Sequence, residues 1–410
     1  MRDPLSFDLF TLSSGLRVFH QPRDLPWFAA NMIVHAGSVD DPVGKEGLSH
    51  LLEHQVNSGT HGMPWTNFGE FQEWADARGF DFDHGSTGSH ATKFGGRAWS
   101  RDAEAYFGFL EAYLRRPILD GMLDHDRRII RAERIDRDPP LRRKRFEEAV
   151  RLALFGNRRQ ATATGLPCDD VLFSLTQEDV RLAHERHYAC PNMTLVVVGG
   201  IDTTVLRTIL EKTFVPDRPF RPRTPSRLPF DIDPPAQREI ISKKDDGSPT
   251  TSVRVTHIWA MRPTGAESVL LRNCLARTLN DRVRELERLA YHVSVDVSRN
   301  CDSETFYVNT DVAPEKVDRA RKAIEEVFSD VAAVLRHLPR QRKSIALAIA
   351  RTDMNVAHVV TEASESIEGE GWLIPLHELA AQFIAVGDDS VIRLLKRLTP
   401  SRALVTIYET

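Results

Sequence analysis

Gly47-Leu48-Ser49-His50-Leu51-Leu52-Glu53-His54 is the stretch that decides how the rest of this chain is read. It sets His50, Glu53 and His54 in the order H-x-x-E-H. On a helix, positions i and i+4 lie one turn apart on the same face, so the two imidazoles aim at one point. Two imidazole nitrogens, a carboxylate and one open position make a catalytic zinc site. Glu53 neighbours His54 and sits one turn from His50, so its carboxylate reaches water beside such a metal and suits it as a general base. The order is the inverse of H-E-x-x-H.

The flanks narrow the reading. Upstream, His35-Ala36-Gly37-Ser38 leaves a strand and enters a glycine-rich turn that runs to Gly47; downstream stands Gly59-Thr60. From Ala36 to Thr60 the chain resembles the insulinase and mitochondrial-processing-peptidase family, also called the pitrilysin family. There a segment A-G-S-x-x-D/E-x-x-G-x-x-G-L-A/S-H-x-L-E-H, closed by G-T, opens the helix that holds zinc. The resemblance implies one zinc per chain, held by His50 and His54, with Glu53 as catalytic base.

It also implies a third ligand, a glutamate on a later helix before a D-x-P-like stop. Glu133 is the carboxylate that fits, since it precedes Arg137-Asp138-Pro139-Pro140. Asp126 lies two turns earlier on roughly the same face and matches the family's frequent second acid, which orients a ligand histidine. Arg284-Glu285-Leu286-Glu287-Arg288-Leu289-Ala290-Tyr291 resembles the family segment R-E-x-x-G-L-A-Y, whose arginine and tyrosine hold the substrate or the developing oxyanion. Arg288 replaces the family's glycine. A second departure is Asp83-His84-Gly85-Ser86, where the family has an N-A-x-T-like sequence on the strand beside the cleft. An edge strand there pairs with an extended peptide, and Asp83, His84 and Ser86 then shape the side-chain preferences.

Composition sets the frame. A chain of 410 residues exceeds one ordinary core and divides into at least two domains. Its hydrophobic content of 41% and charged content of 27% are those of a soluble globular protein. A net charge of -4 argues for neither nucleic acid nor an anionic membrane surface as a partner. No apolar run reaches the length of a membrane span, and the N-terminus lacks a signal-peptide apolar region. Cys168, Cys190, Cys274 and Cys301 are spaced for neither a C-x-x-C metal site nor a disulfide framework, which points to reduced, mostly buried thiols in a cytoplasm, while an excess of arginine over lysine points to a bacterial source.

Periodicity predicts two strands around Ser13-Ser14-Gly15, a strand from Phe28, and helices over 65–78, 103–115 and 124–137. A buried valine strand follows Asn192, and a helix runs from Thr203 to Phe214. Seven prolines crowd residues 215–237, which read as a stiff extended linker. The second half starts again with strands, then a helix over 267–289, paired strands at 291–297 and 305–312, one helix over 315–335 and a last strand at 403–408. No motif stands out between 340 and 395.

Both halves share this order and end in a Pro-led strand, Pro191-Asn192-Met193 and Pro400-Ser401-Arg402, so the chain reads as a pseudo-repeat. The expectation is an α+β fold of two homologous domains, each a mainly antiparallel sheet packed by helices: 1–214 with the zinc residues, 215–237 as linker, and 238–410 as a substrate-binding domain without them. The resemblance further implies a zinc endopeptidase acting on unfolded peptides or leader segments, with two chains, identical or related, closing as a clamshell around a chamber. The alternative is a non-catalytic or scaffold subunit of such a pair.

Overall fold

A computed structural model of the chain describes residues 7–57, 59–65, 67–119, 122–137, 141–156, 163, 165–216, 239–244, 248–299, 303–352, 355–370 and 376–410. Most of the proline-rich stretch 215–237, and Cys301, lie outside the described residues. Two compact units make up the fold.

The first unit takes Met1–Asp138, Thr162–Pro225 and Thr352–Pro375. Its six-stranded sheet contains β1 (Asp8–Thr11), β2 (Arg17–Pro22), β3 (Trp27–Val34), β4 (Asp81–Thr87), β5 (Thr92–Trp99) and β6 (Met193–Gly199), in the order β1-β2-β6-β3-β5-β4. Only β2 and β6 run parallel; every other neighbouring pair is antiparallel. Phe28, Ala30, Met32 and Val34 alternate along β3 into one core, as period-two patterning requires. The helices over this face are α1 (Leu48–Val56), α2 (Phe68–Asp76), α3 (Ala103–Arg115), α4 (Leu123–Arg137), α6 (Asp169–Ser174), α7 (Gln177–His187) and α8 (Thr203–Thr213). Tyr106, Phe107, Phe109, Leu110, Tyr113 and Leu114 bury the inner side of α3 completely or nearly so.

The other face of the sheet is covered too. Every residue of β6 is buried, which is why it reads as an unbroken valine run. The cover is a helix from the far end of the sequence, Val356–Glu370, which packs on β3 and β6. Asn31 Nδ2 donates to Ser364 Oγ at 3.0 Å, and Lys93 pairs with Glu368 at 2.8 Å.

The second unit takes Pro139–Ala161, Ser226–Arg351 and Leu376–Thr410. Its sheet contains β7 (Glu239–Ser242), β8 (Val253–Met261), β9 (Ala290–Arg299), β10 (Glu304–Val312) and β11 (Leu404–Glu409), in the order β7-β11-β8-β10-β9. With β1 set aside, the two sheets share strand order and sense, including one parallel pair each, β2 with β6 and β7 with β11. This unit also draws a helix from the other half of the sequence. α5 (Leu141–Phe155) sets Leu154 among Ile240, Ile258 and Leu404.

Two expected helices come out differently. The helix over 315–335 is broken at Asp330 (φ -95, ψ 77), whose carboxylate accepts from the Ala333 amide and starts a new turn. The helix over 267–289 is α-helical only over Ala266–Leu279; it then widens into a π turn over Asn280–Leu286. Among the described residues, no helix is long and apolar enough to cross a membrane.

Candidate metal centre

α1 begins at Gly47, whose φ of +85 lies in the left-handed region, with Pro167 only 2.5 Å from where a Cβ would stand. Asp41 secures this helix start. Its carboxylate accepts from the Gly47 and Ser49 amides at 2.8 and 2.9 Å and from the Ser49 hydroxyl at 2.6 Å. The first turn thus fixed, His50 and His54 face the same way with Nε2 atoms 3.2 Å apart.

Glu133 comes to them from α4. Its Oε1 lies 3.4 Å from His54 Nε2 and its Oε2 lies 3.8 Å from His50 Nε2. All three donor atoms lie within 4.8 Å of one another. Ligand atoms about 2.0–2.1 Å from a tetrahedral zinc stand roughly 3.3–3.4 Å apart, so the spacing suits that ion. His50 Nδ1 lies 2.8 Å from the Gly165 carbonyl oxygen. The carbonyl only accepts, so the proton sits on Nδ1 and leaves the Nε2 lone pair for a metal. Burial, then His54, hold the His50 imidazole below its ordinary range. Burial would lower His54 as well, but the carboxylates of Glu133, Glu53 and Asp126 outweigh it and raise the ring above its ordinary value.

Glu53 is buried beside His50, His54 and Glu133, and Thr87 Oγ1 on β4 donates to its Oε2 at 2.6 Å. The site opens into a cavity of about 850 Å³, with Met122, Ile129 and Leu166 among its apolar walls. Asp126 borders this cavity, and its carboxylate accepts from Gln55 of α1. Gln177 of α7 in turn donates to Gln55 Oε1 at 3.3 Å, so α1, α4 and α7 are joined behind the site.

Among the described residues β4 is the last strand of its sheet, with no strand on its outer edge. The ladder with β5 is interrupted between Asp83 and Ser86, where His84 and Gly85 form a bulge. His84 and Ser86 line the cavity; Asp83 is exposed on the strand and outside the lining. Burial holds the His84 imidazole below its ordinary range, with Asp83 opposing.

Arg284 and Tyr291 belong to the second unit. The Arg284 guanidinium stands 5.2 Å above the Tyr291 ring, which is 86% exposed, and pairs with Glu285 at 3.2 Å. With Arg288 and Lys316 they line a cavity of about 510 Å³ in that unit. Thr87 and Gly165 are the site residues that pattern reading missed, because they act through contacts far apart in sequence. Asp41 stands at the D/E position of the family segment, and the structure adds its task, the tie at the start of α1.

Residues 174–342 match the family model described as the peptidase M16 inactive domain. His50, Glu53, His54 and Glu133 lie upstream of that match. Cytochrome b-c1 complex subunit 1, mitochondrial, of Bos taurus is 24% identical over 204 residues, 50% of this chain and 41% of that protein. Probable zinc protease PqqL of Haemophilus influenzae is 20% identical over 331 residues, 78% of this chain and 34% of that protein. The chain thus spans less than half the length of these curated relatives. A protease from Helicobacter pylori has the same fold, with a TM-score of 0.82 over 99% of both chains at 16% identity. Residues 174–342 thus match the peptidase M16 inactive domain, and the chain is similar in sequence and in fold to proteins of the insulinase, or M16, family.

Proposed function

We propose that this chain is a zinc-dependent endopeptidase that cleaves unfolded peptides. The observation that carries the reading is the convergence of His50, His54 and Glu133 on one point, with Glu53 beside them but outside the set. Two imidazole nitrogens and one carboxylate, with a fourth position open, are the donor set of catalytic zinc sites. One zinc held there would polarise the peptide carbonyl and acidify water at the open position. Glu53 takes a proton from the attacking water as the new C–O bond forms. It returns that proton to the departing amine as the C–N bond breaks.

The open edge of β4 offers main-chain groups to an extended peptide, while Asp83, His84 and Ser86 select its side chains. Asp126 steadies the ligand helix through Gln55. Arg284 and Tyr291 serve the substrate carbonyl and the developing oxyanion from the second, zinc-free domain. In this reading 1–214 is the catalytic domain, 215–237 the linker and 238–410 the substrate-binding domain, except that 139–161 packs with the second unit and 352–375 with the first. Two chains, identical or related, pair as a clamshell whose chamber admits unfolded precursors or leader peptides. The free thiols of Cys168, Cys190 and Cys274 favour the cytoplasm.

The second reading is a non-catalytic or scaffold subunit. It is favoured by the match of 174–342 to the inactive-domain model and by a relative that is a cytochrome b-c1 complex subunit. The two separate in one assay: zinc-loaded wild type and Glu53→Gln, each incubated with fluorescently labelled casein. Cleavage by wild type alone supports the peptidase. No cleavage by a zinc-loaded wild type moves the assignment to the subunit.

A further inference from the structure

We infer that Thr87 is the positioning residue of the general base: its hydroxyl, presented by the edge strand β4, holds the Glu53 carboxylate in the orientation that proton transfer needs. The inference rests on the peptidase reading and assigns a role that the ligand motif does not contain.

The hydrogen-bond accounting around Thr87 is closed. Its Oγ1 has two oxygen neighbours, Glu53 Oε2 at 2.6 Å and Thr92 Oγ1 at 3.4 Å. Thr92 already donates its own proton to the Ala36 carbonyl at 3.0 Å. A hydroxyl has one proton to give, and the shorter, charge-assisted acceptor is Glu53. Threonine in a strand has few χ1 choices, so the donor is fixed before substrate arrives.

The same strand also confines the stem of Glu53. At Gly85 (φ +115) an ideal Cβ would lie 2.9 Å from Glu53 Cγ and 2.8 Å from Phe94 Cε1. The bulge therefore leaves room for Glu53 only because residue 85 has no side chain. One strand thus holds the base at both stem and carboxylate, and offers its outer edge to a peptide. The bond from Thr87 to Oε2 fixes the plane of the carboxylate and so the direction in which Oε1 faces. Loss of the hydroxyl frees the carboxylate to rotate without touching His50, His54 or Glu133.

The test compares wild type, Thr87→Val and Thr87→Ser, all zinc-loaded, on labelled casein and on one quenched peptide derived from it. Thr87→Val is expected to lower kcat by about ten- to a hundred-fold, with KM within about two-fold. Zinc content should stay that of wild type, and Thr87→Ser should recover most of the rate. In metal-free protein, the denaturation midpoints of Thr87→Val, Glu53→Ala and the double variant should be non-additive. Additive midpoints, an unchanged kcat in Thr87→Val, a loss confined to KM, or a loss of zinc each overturn the inference. An inactive zinc-loaded wild type defeats the peptidase reading and this role together; an active wild type with an unaffected Thr87→Val defeats this role alone.

Discussion

His50 Nδ1 and the Gly165 carbonyl oxygen are joined at 2.8 Å, and this bond fixes which nitrogen of His50 faces Glu133 and His54. The ligand atoms are thereby arranged before any metal arrives. A preformed site binds the folded chain and not the unfolded one, so metal should stabilise the fold. Titrating zinc into metal-free protein should raise the thermal midpoint, by about 2.7 kcal/mol of stability when free zinc is a hundred times Kd. Chelation should reverse the shift, and His50→Ala should lose it.

Glu53 neighbours the cluster of His50, His54 and Glu133 without belonging to it. Glu53→Gln should therefore keep its zinc while kcat falls by about 10²- to 10⁴-fold, the usual contribution of a positioned general base. Parallel assays of metal content and casein cleavage check both halves of this expectation.

Arg288 has a φ of +53, the one positive value of any non-glycine residue among the described residues. It stands where the family segment has glycine, so the backbone keeps a glycine conformation under an arginine. A left-handed residue with a Cβ costs about 1–2 kcal/mol. Arg288→Gly should raise the denaturation midpoint by about 1 kcal/mol equivalent, reduced by the greater freedom glycine gives the unfolded chain. Arg288→Val should lower it.

Acid should weaken the first unit through His20. This ring is fully buried in β2; its Nδ1 meets Thr203 Oγ1 at 2.9 Å, and its Nε2 has no hydrogen-bond partner among the described residues. Burial lowers it to about 4, against the opposing charges of Asp8 and Asp202. The unfolded ring titrates near its ordinary 6.5. Between these values the unfolded chain binds the extra proton, so stability rises with pH across that window. The contribution is complete above about 6.5 and lost as pH falls towards 4, with an upper size of about 3 kcal/mol. Denaturation midpoints measured from pH 4 to 7 should show this slope, and His20→Gln should flatten it.

Local pattern carried much of this molecule. The helix over 103–115 was legible to the residue because apolar side chains recur at helical spacing and Pro117 follows. The halves announced their likeness in the Pro-led strands, and the two sheets share that connectivity. H-x-x-E-H brought His50 and His54 together by helical geometry alone, whereas Glu133 needed the family resemblance.

Contacts made across long sequence separations stayed hidden. The apolar stripe Val356, Val359, Val360, Ala363 and Ile367 announces a buried helix face but not which sheet receives it; the polar ties, Ser364 to Asn31 and Glu368 to Lys93, reach across most of the chain. Thr87 resembles any strand threonine until the fold sets it against Glu53. The break at Asp330 was missed because the apolar period continues through it, and only the side-chain cap on Ala333 marks the stop.

The most direct test is zinc content by elemental analysis of wild type and Glu133→Gln, each shown to be folded. About one zinc per wild-type chain and markedly less in Glu133→Gln is the expected result. A folded wild type that takes up no zinc, or a Glu133→Gln that retains all of it, would contradict the metal centre on which the proposed activity rests.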